Sequence, residues 1–314
     1  MPSIKVISTG GTIANTEHGL ISVEEVLEKI PQVRELADID IIEISRIRGG
    51  SMRPDHWLAI ARSVAETSNR SDVDGIIITH GTFTLEETAY FLHLTVRTNK
   101  PVICVASQRM YDALGNDGNR NLLDAVRVAL SPSAKGNGVL VVIHEEIHSA
   151  RDVIKTNQRP GGFASPVHGL LGHVESDQVS FYRSSTRCHT FQSEFNIGEI
   201  TELPRVDIIA AYVGADDTAA RAYIEAGARG LVVHGYAFSG SPAVTQRKTL
   251  ERIAASGIPV VLASRGGGGR VPVISDDPFI QGDTLPAPKA RILLMLGLSK
   301  GADSRQIQRM FNEY

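Results

Sequence analysis

The chain has 314 residues, of which 32 are Lys or Arg and 35 are Asp or Glu, so its formal charge is −3. This near balance, with no basic stripe along the sequence, excludes a polybasic nucleic-acid-binding protein. Hydrophobic residues at 42% and charged residues at 21% are typical of a globular protein and exclude a disordered chain. At roughly 150 residues per domain, the length predicts one large domain or two ordinary ones.

Short apolar runs alternate with helical patterns through the first half of the chain. Apolar runs predict buried parallel strands at 4–8, 75–79, 102–106 and 138–143. Amphipathic periodicity predicts helices between them, at 23–30, 56–67, 85–95 and 121–130. This alternation favours an α/β fold whose mostly parallel sheet is covered by helices on both faces.

The same alternation resumes after a stretch without clear periodicity at 176–204. It predicts strands at 206–212, 230–234 and 259–263, helices at 218–226 and 245–256, and a helical pair between 287 and 312. We therefore predict two α/β domains, with limits of 1–185 for the N-terminal domain, 186–205 for a linker and 206–314 for the C-terminal domain.

Neither a metal-binding pattern nor a targeting segment is visible. Two cysteines occur, and no Cys-x-x-Cys spacing is formed. The first residues run directly into a strand, and the apolar runs are far too short for a membrane span. We expect a cytoplasmic protein with no nucleic-acid or membrane partner.

A first candidate for chemistry is the loop Ser8-Thr-Gly-Gly-Thr12. It follows a predicted parallel strand, and ligands bind at the carboxyl ends of such strands. Two glycines allow the backbone to approach a substrate closely and to direct N–H groups at an oxyanion. The same pattern is also typical of a tight turn in which Thr12 caps a helix, and the residues alone leave both interpretations open.

A second candidate repeats this design in Thr79-His-Gly-Thr-Phe83. Thr84 followed by Glu87 fits a capping box, which indicates a structural role for Thr84. Capping does not explain Thr82 and Phe83, which lie in the strand-to-helix crevice beside Thr12 if the two strands are neighbours.

A third candidate is Lys155 in Arg151-Asp-Val-Ile-Lys-Thr-Asn157. A lone lysine is usually a solvated surface charge. Desolvated beside a hydroxyl, it becomes a neutral amine that takes the hydroxyl proton. Spacing does not decide between these two roles.

Together, Thr9-Gly-Gly-Thr-Ile-Ala14, the segment from Thr79 to Leu92 and the Lys155 segment resemble the bacterial-type L-asparaginase/glutaminase family. The resemblance runs from about residue 4 to the end and includes Lys289-Ala-Arg-Ile-Leu-Leu294 and the closing Gln306–Tyr314. It implies a larger N-terminal α/β domain and a smaller C-terminal α/β domain. It also implies hydrolysis of side-chain amides without metal or organic cofactor, and a homodimer or homotetramer.

The resemblance assigns roles residue by residue. It makes Thr12 the covalent nucleophile and pairs Thr82 with Lys155. The residues it places against the substrate are Gly11, Gly50, Ser51, Gly81, Phe83 and Ser107. A threonine hydroxyl is a poor nucleophile at neutral pH, so a neighbouring base and backbone oxyanion donors make chemical sense.

The sequence departs from the family pattern mainly around the substrate. Phe83 stands where the family has an aspartate that grips the α-ammonium of the substrate. The carboxylate-binding segment is reduced to Arg48-Gly-Gly-Ser-Met52, where Arg48 or Arg53 either attracts an anion or is only a surface charge. The loop 15–20 is short and lacks the family's tyrosine, leaving His18 as a substitute base or a surface residue. The glycine run 266–269 is predicted to be a flexible loop, and we find no counterpart of the family's cross-subunit glutamate in 269–275.

Three functions stay open on this basis. The preferred hypothesis is an amidohydrolase with specificity shifted away from L-asparagine, acting on a linear amide, lactam or imide. The second is a genuine L-asparaginase that releases ammonia and L-aspartate. The third is a catalytically weak protein that binds a small ligand in the same cleft.

Overall fold

The computed structural model describes residues 1–47, 49–274 and 276–314. It divides into two compact units, Met1–Glu199 and Ile200–Tyr314. This division falls inside the predicted linker 186–205, and the limits 1–185 and 206–314 stay a prediction. In the described ranges, no helix is long and apolar enough to cross a membrane.

The first unit is built on a large sheet. Its strands are β1 (Ser3–Gly10), β2 (Asn15–Thr16), β3 (Gly19–Leu20), β4 (Asp38–Ile47), β5 (Gly75–Thr79), β6 (Val102–Val105), β7 (Val139–Ile143), β8 (Glu146–Ser149), β9 (Ile154–Lys155), β10 (Phe163–Ala164), β11 (Gly172–Val174) and β12 (Val179–Phe181). Its helices are α1 (Val23–Glu28), α2 (Pro31–Leu36), α3 (Pro54–Ser68), α4 (Leu85–Thr95) and α5 (Gly118–Leu130).

Eight of these strands form one sheet in the order β12-β11-β8-β7-β6-β5-β1-β4. The strands from β4 to β7 pair in parallel, and β8, β11 and β12 extend the sheet in antiparallel pairing. Strands β5, β6 and β7 are apolar and buried throughout, as expected where helices cover both faces of a parallel sheet. One core packed on this sheet includes Val6, Ile77, Ile103 and Leu140.

The second unit has a smaller, fully parallel sheet in the order β13 (Val206–Ala210), β14 (Gly230–Gly235), β15 (Val260–Ser264) and β16 (Ile280–Gln281). Its helices are α6 (Thr218–Glu225), α7 (Val244–Ala255), α8 (Ala287–Ser299) and α9 (Ser304–Glu313). Its core includes Ile209, Leu231, Val233 and Leu262. The fold class is therefore the predicted one, two α/β units with the larger at the N-terminus.

The sequence analysis missed several elements and misassigned one cap. Strand β4 escaped notice because it is an edge strand whose side chains alternate between polar and apolar and stay largely half-exposed or exposed. Thr84 does precede α4, but its side chain forms no capping hydrogen bond, so the proposed capping box is wrong.

The pairing of β1 with β5 is what matters for the site. Ser8 lies opposite Thr79, so the loops that follow these two strands leave the sheet side by side. The sequence analysis required this adjacency for Thr12 and Thr82 to act together, and the topology supplies it.

Candidate active site

The loops after β1 and β5 touch through glycine. Gly11 has a φ of 92°, in the left-handed region that favours glycine. A Cβ atom on Gly11 would lie 2.6 Å from both the Gly81 Cα atom and the His80 carbonyl carbon, which no real side chain tolerates. The contact therefore needs a residue without a side chain at position 11, and it places the following residue, Thr12, beside the second loop.

Thr12 opens a short 3₁₀ helix, Thr12–Ala14, whose N-cap residue is Gly11. Thr12 is thus not the capping residue, which removes the purely structural interpretation left open by the sequence. The Thr12 side chain forms no hydrogen bond within the described residues and lines a cavity of about 270 Å³. Its hydroxyl is therefore free to meet a ligand there.

Thr82 and Lys155 form a direct pair. The Lys155 ammonium Nζ donates a hydrogen bond of 2.7 Å to the Thr82 hydroxyl oxygen. Lys155 lies in β9, which pairs with β10, and its backbone N–H donates to the Glu86 carboxylate at the start of α4. Thr82 itself is buried and lines the same cavity as Thr12.

The environment of Lys155 favours loss of its proton. Partial burial lowers the pKa of Lys155 from the ordinary value of 10.5, and the negative charge of Glu86 opposes this by raising it. The Nζ atom also lies 5.2 Å from the centre of the Phe83 ring and 5.9 Å from that of Phe163. Phe83 thus offers the lysine a cation–π contact but no negative charge to hold the ammonium form.

Phe83 is unusual because 73% of its surface is exposed. One face of the ring meets the Lys155 ammonium, and much of the ring faces solvent. Gly50 lies against it, with its Cβ position 3.7 Å from the Phe83 ring. Phe83 also lines the cavity and is therefore available to a substrate.

A buried chain of hydrogen bonds fixes the loop that follows β5. His80 is fully buried, and burial lowers its pKa to about 4, so the ring is neutral at pH 7. Its Nδ1 lies 2.8 Å from the Gly81 carbonyl oxygen and its Nε2 lies 2.9 Å from the Thr88 hydroxyl. A carbonyl only accepts, so Nδ1 carries the proton and Nε2 accepts from Thr88, which in turn accepts from the Trp57 indole at 3.0 Å.

The structure brings together most of the predicted site residues. The cavity is lined by Gly11, Thr12, Asn15, Thr16, Glu17, Gly19, Leu20, Gly81, Thr82 and Phe83. Ser51 and Arg53 lie outside this lining. Ser107 is fully buried and its hydroxyl already donates to the Arg109 carbonyl oxygen at 2.7 Å. Arg48, named as an anion-binding candidate, is outside the described residues, as is Ser275 in the segment searched for a glutamate.

Sequence reasoning missed three contributors to the site. Glu86 lies within the second motif without a predicted site role, although its carboxylate accepts a hydrogen bond from the Lys155 backbone N–H. His80 was quoted in the motif without a role. Glu17 was passed over in favour of His18, which is exposed and does not line the cavity. No group of three or more His, Cys, Asp or Glu residues in the described chain is placed to hold a metal ion.

Comparison with known proteins assigns this chain to a family. The asparaginase N-terminal model matches residues 3–187, and the glutaminase/asparaginase C-terminal domain model matches residues 205–311. The chain belongs to the asparaginase family. Its members act as amidohydrolases on carbon–nitrogen bonds other than peptide bonds, and this chain is one of them.

Relatives match over the full length of the chain. L-asparaginase 2 of Bacillus subtilis is 38% identical, covering 100% of this chain and 87% of the relative. Glutaminase-asparaginase of Pseudomonas fluorescens biotype A is 37% identical, covering 100% and 91%. The crystal structure of a probable cytoplasmic L-asparaginase from Campylobacter jejuni superposes with a TM-score of 0.96 at 38% identity, covering all of both chains.

The contact at Gly11 predicts that the Gly11→Ala variant is at least 100-fold less active. The new methyl group separates the two loops that carry Thr12 and Thr82. Ammonia release from a panel of small amides measures the loss, with circular dichroism as a check on folding. Gly136→Ala is the matched control, since Gly136 has a φ of 73° with nothing within 4 Å of its Cβ position. Equal activity of both variants would contradict the contact.

The lowered pKa of Lys155 predicts an acidic limb in the pH profile of kcat/KM. A base works only when neutral, so activity falls as pH drops through the Lys155 pKa, with a midpoint below 10.5. The Lys155→Arg variant should lack this acidic limb, and its rate should be lower by a factor of about 10²–10⁴, because a guanidinium does not deprotonate. Lys135→Arg, on an exposed lysine, is the control. An active Lys155→Arg enzyme would leave the lysine only an electrostatic role.

Proposed function

We propose that the chain hydrolyses a small-molecule amide through an acyl-enzyme on Thr12, and that its substrate preference is shifted away from L-asparagine. The observation that carries this proposal is the 2.7 Å hydrogen bond from Lys155 to Thr82, which lines the same cavity as Thr12 and Phe83. The pair supplies a base, Thr12 supplies a free hydroxyl, and Phe83 supplies an apolar surface where the family resemblance places an anion.

The proposed reaction has two halves. The Thr12 oxygen attacks the amide carbonyl carbon while its proton passes to the Thr82–Lys155 pair. The carbon–nitrogen bond then breaks, the nitrogen takes a proton, and ammonia or an amine leaves an ester on Thr12. Water adds to this ester, the carbon–oxygen bond to Thr12 breaks, and a carboxylic acid is released as the proton returns to the threonine.

The proposed shift in specificity rests on charge. A phenyl ring attracts a cation by roughly 0.5–2 kcal/mol. A hydrogen bond to a charged group contributes about 1.5–3 kcal/mol of binding free energy, and leaving a buried charge without a partner costs more than that. Replacing an aspartate by Phe83 therefore weakens the attraction for a substrate α-ammonium at this point. Linear amides without that group, lactams and imides do not depend on this attraction.

Genuine L-asparaginase activity is the second candidate, because the B. subtilis and P. fluorescens relatives carry asparaginase names at 37–38% identity over the full chain. A weak ligand-binding protein is the third. A mass-spectrometric search for an acyl adduct on Thr12 distinguishes an enzyme from a binding protein, and relative kcat/KM values over the amide panel distinguish the two enzymes.

Assembly and location are further parts of this proposal, and the family resemblance supports them. We propose a homodimer or homotetramer, which sedimentation at micromolar concentration tests. We propose a cytoplasmic location, supported by the name of the C. jejuni relative. Cell fractionation with antibody detection tests this.

The assignment of the nucleophile predicts that Thr12→Ala and Thr82→Ala each abolish turnover while the protein stays folded. The acyl adduct found in the wild type, trapped by rapid acid quenching, should be absent from Thr12→Ala. Thr16→Ala, on a neighbouring threonine that lines the same cavity, should keep the adduct. A near-normal kcat of the Thr12→Ala enzyme would mean that Thr82, and not Thr12, is the nucleophile.

The position of Phe83 predicts that Phe83→Asp raises kcat/KM for L-asparagine relative to butanamide. The variant restores an anion where an α-ammonium would lie, with Lys155 as its cationic partner. The gain should be partial, because Gly50 still lacks a side-chain donor. Phe83→Leu, which removes the ring without adding charge, is the control. A folded Phe83→Asp enzyme with an unchanged ratio would place the specificity elsewhere.

A further inference from the structure

The loop that follows Thr12 is a tight hairpin rather than a long flexible segment. Strands β2 and β3 pair Asn15 with Leu20 and Thr16 with Gly19, so Glu17 and His18 form a two-residue turn. The Thr16 hydroxyl donates to the Gly19 carbonyl oxygen at 2.9 Å and ties the hairpin to itself.

Two hydrogen bonds fix this hairpin to the segment that follows β6. The Tyr111 backbone N–H donates to the Asn15 carbonyl oxygen at 2.8 Å. The Glu17 backbone N–H donates to the Asp112 carboxylate at 2.9 Å. The hairpin is therefore a fixed wall of the cavity, and the groups on it have defined positions relative to Thr12.

A negatively charged residue, Glu17, belongs to this wall. Among the described residues that line the cavity, Glu17 is the charged one. Its carboxylate forms neither an ion pair nor a side-chain hydrogen bond within the described chain, so its charge is uncompensated. Lys155 is not part of this lining and is engaged with Thr82 and with the aromatic rings.

The remaining lining residues are also suited to a positively charged ligand. Much of the Phe83 ring is exposed, and an aromatic face attracts a cation. The Asn15 side-chain oxygen is buried with no hydrogen-bond partner among the described residues, so the wall has an unused acceptor. Leu20 adds apolar surface. Within the described lining, the cavity holds acceptors, a carboxylate and a ring, and no cationic side chain.

We propose that Glu17 determines which substrate charge is preferred. The preferred amide carries a positively charged amine, which is held between the Glu17 carboxylate and the exposed face of Phe83. This amide carries no carboxylate. This inference rests on the proposed amide hydrolysis. It adds a second reason why L-asparagine is a poor substrate, besides the absence of an aspartate at position 83. Asparagine carries a carboxylate, and the described lining offers this carboxylate no cationic partner.

Three amides of equal length test the charge preference: 3-aminopropanamide is cationic, butanamide is neutral and succinamate is anionic. We expect wild-type kcat/KM to be at least tenfold higher for 3-aminopropanamide than for butanamide, and lowest for succinamate. Glu17→Gln should bring the first two within threefold. Glu17→Lys should favour succinamate over 3-aminopropanamide. Butanamide carries no charge and is the internal reference for each enzyme, so every comparison is a ratio of kcat/KM values measured on the same variant.

The control variant is Glu24→Gln, which removes one negative charge from an exposed position on α1 that does not line the cavity. It should keep the wild-type order of the three substrates. The same comparison is made by calorimetric binding of the three amides to Thr12→Ala, which is independent of turnover.

The outcomes separate this inference from the proposed function. Hydrolysis of butanamide with no preference for the cationic amide, or a preference unchanged in Glu17→Gln, overturns the role of Glu17 and leaves the hydrolase intact. Selective binding of 3-aminopropanamide without any acyl adduct on Thr12 supports Glu17 and overturns the proposed reaction.

Discussion

The site depends on one close approach, the contact between Gly11 and the peptide that joins His80 to Gly81. Two parallel strands bring two loops to the same edge of the sheet, but strands pair at a distance that leaves room for side chains between their loops. The absence of a side chain at Gly11 closes that gap, and the left-handed backbone at this residue turns the chain so that Thr12 follows at the cavity. Every proposed chemical role of Thr12 presupposes this contact.

The second loop is held by groups that do not face the substrate. Neutral His80 spans from the Gly81 carbonyl to Thr88 on α4, and Trp57 on α3 completes the chain. A buried network in which each group has its partner is rigid, whereas a single missing partner would leave an unpaired polar group at a free-energy cost. Helix α4 also supplies Glu86 to the lysine backbone. One helix thus orients both the threonine and its base.

Electrostatics divides the cavity into two regions. Around Lys155, partial burial lowers the pKa of the amine and the negative charge of Glu86 opposes this. Two aromatic rings lie near its Nζ atom, one of them at position 83, where the family resemblance places a carboxylate. Around the hairpin, Glu17 adds a negative charge that no described residue neutralises. In the proposed reaction, Thr82 and Lys155 serve the chemistry, whereas Glu17 on the hairpin and Phe83 beside Thr82 select the substrate.

The sequence by itself determined the fold class, the order of most strands and helices, and the motifs that carry Thr12, Thr82 and Lys155. It did so because buried parallel strands are continuously apolar and because glycine-rich turns stand out at their ends. It also identified Phe83 as the main departure from the family. These properties are local, since each depends on residues within one short segment.

Only the tertiary structure decided which residues meet. The bond from Lys155 to Thr82 joins positions 73 residues apart, and the bond from the lysine backbone to Glu86 spans 69. Glu17 was overlooked although it lines the cavity, because the position of a residue in a turn depends on how that turn is anchored. That anchoring comes from Tyr111 and Asp112, far along the chain, and no local pattern encodes it.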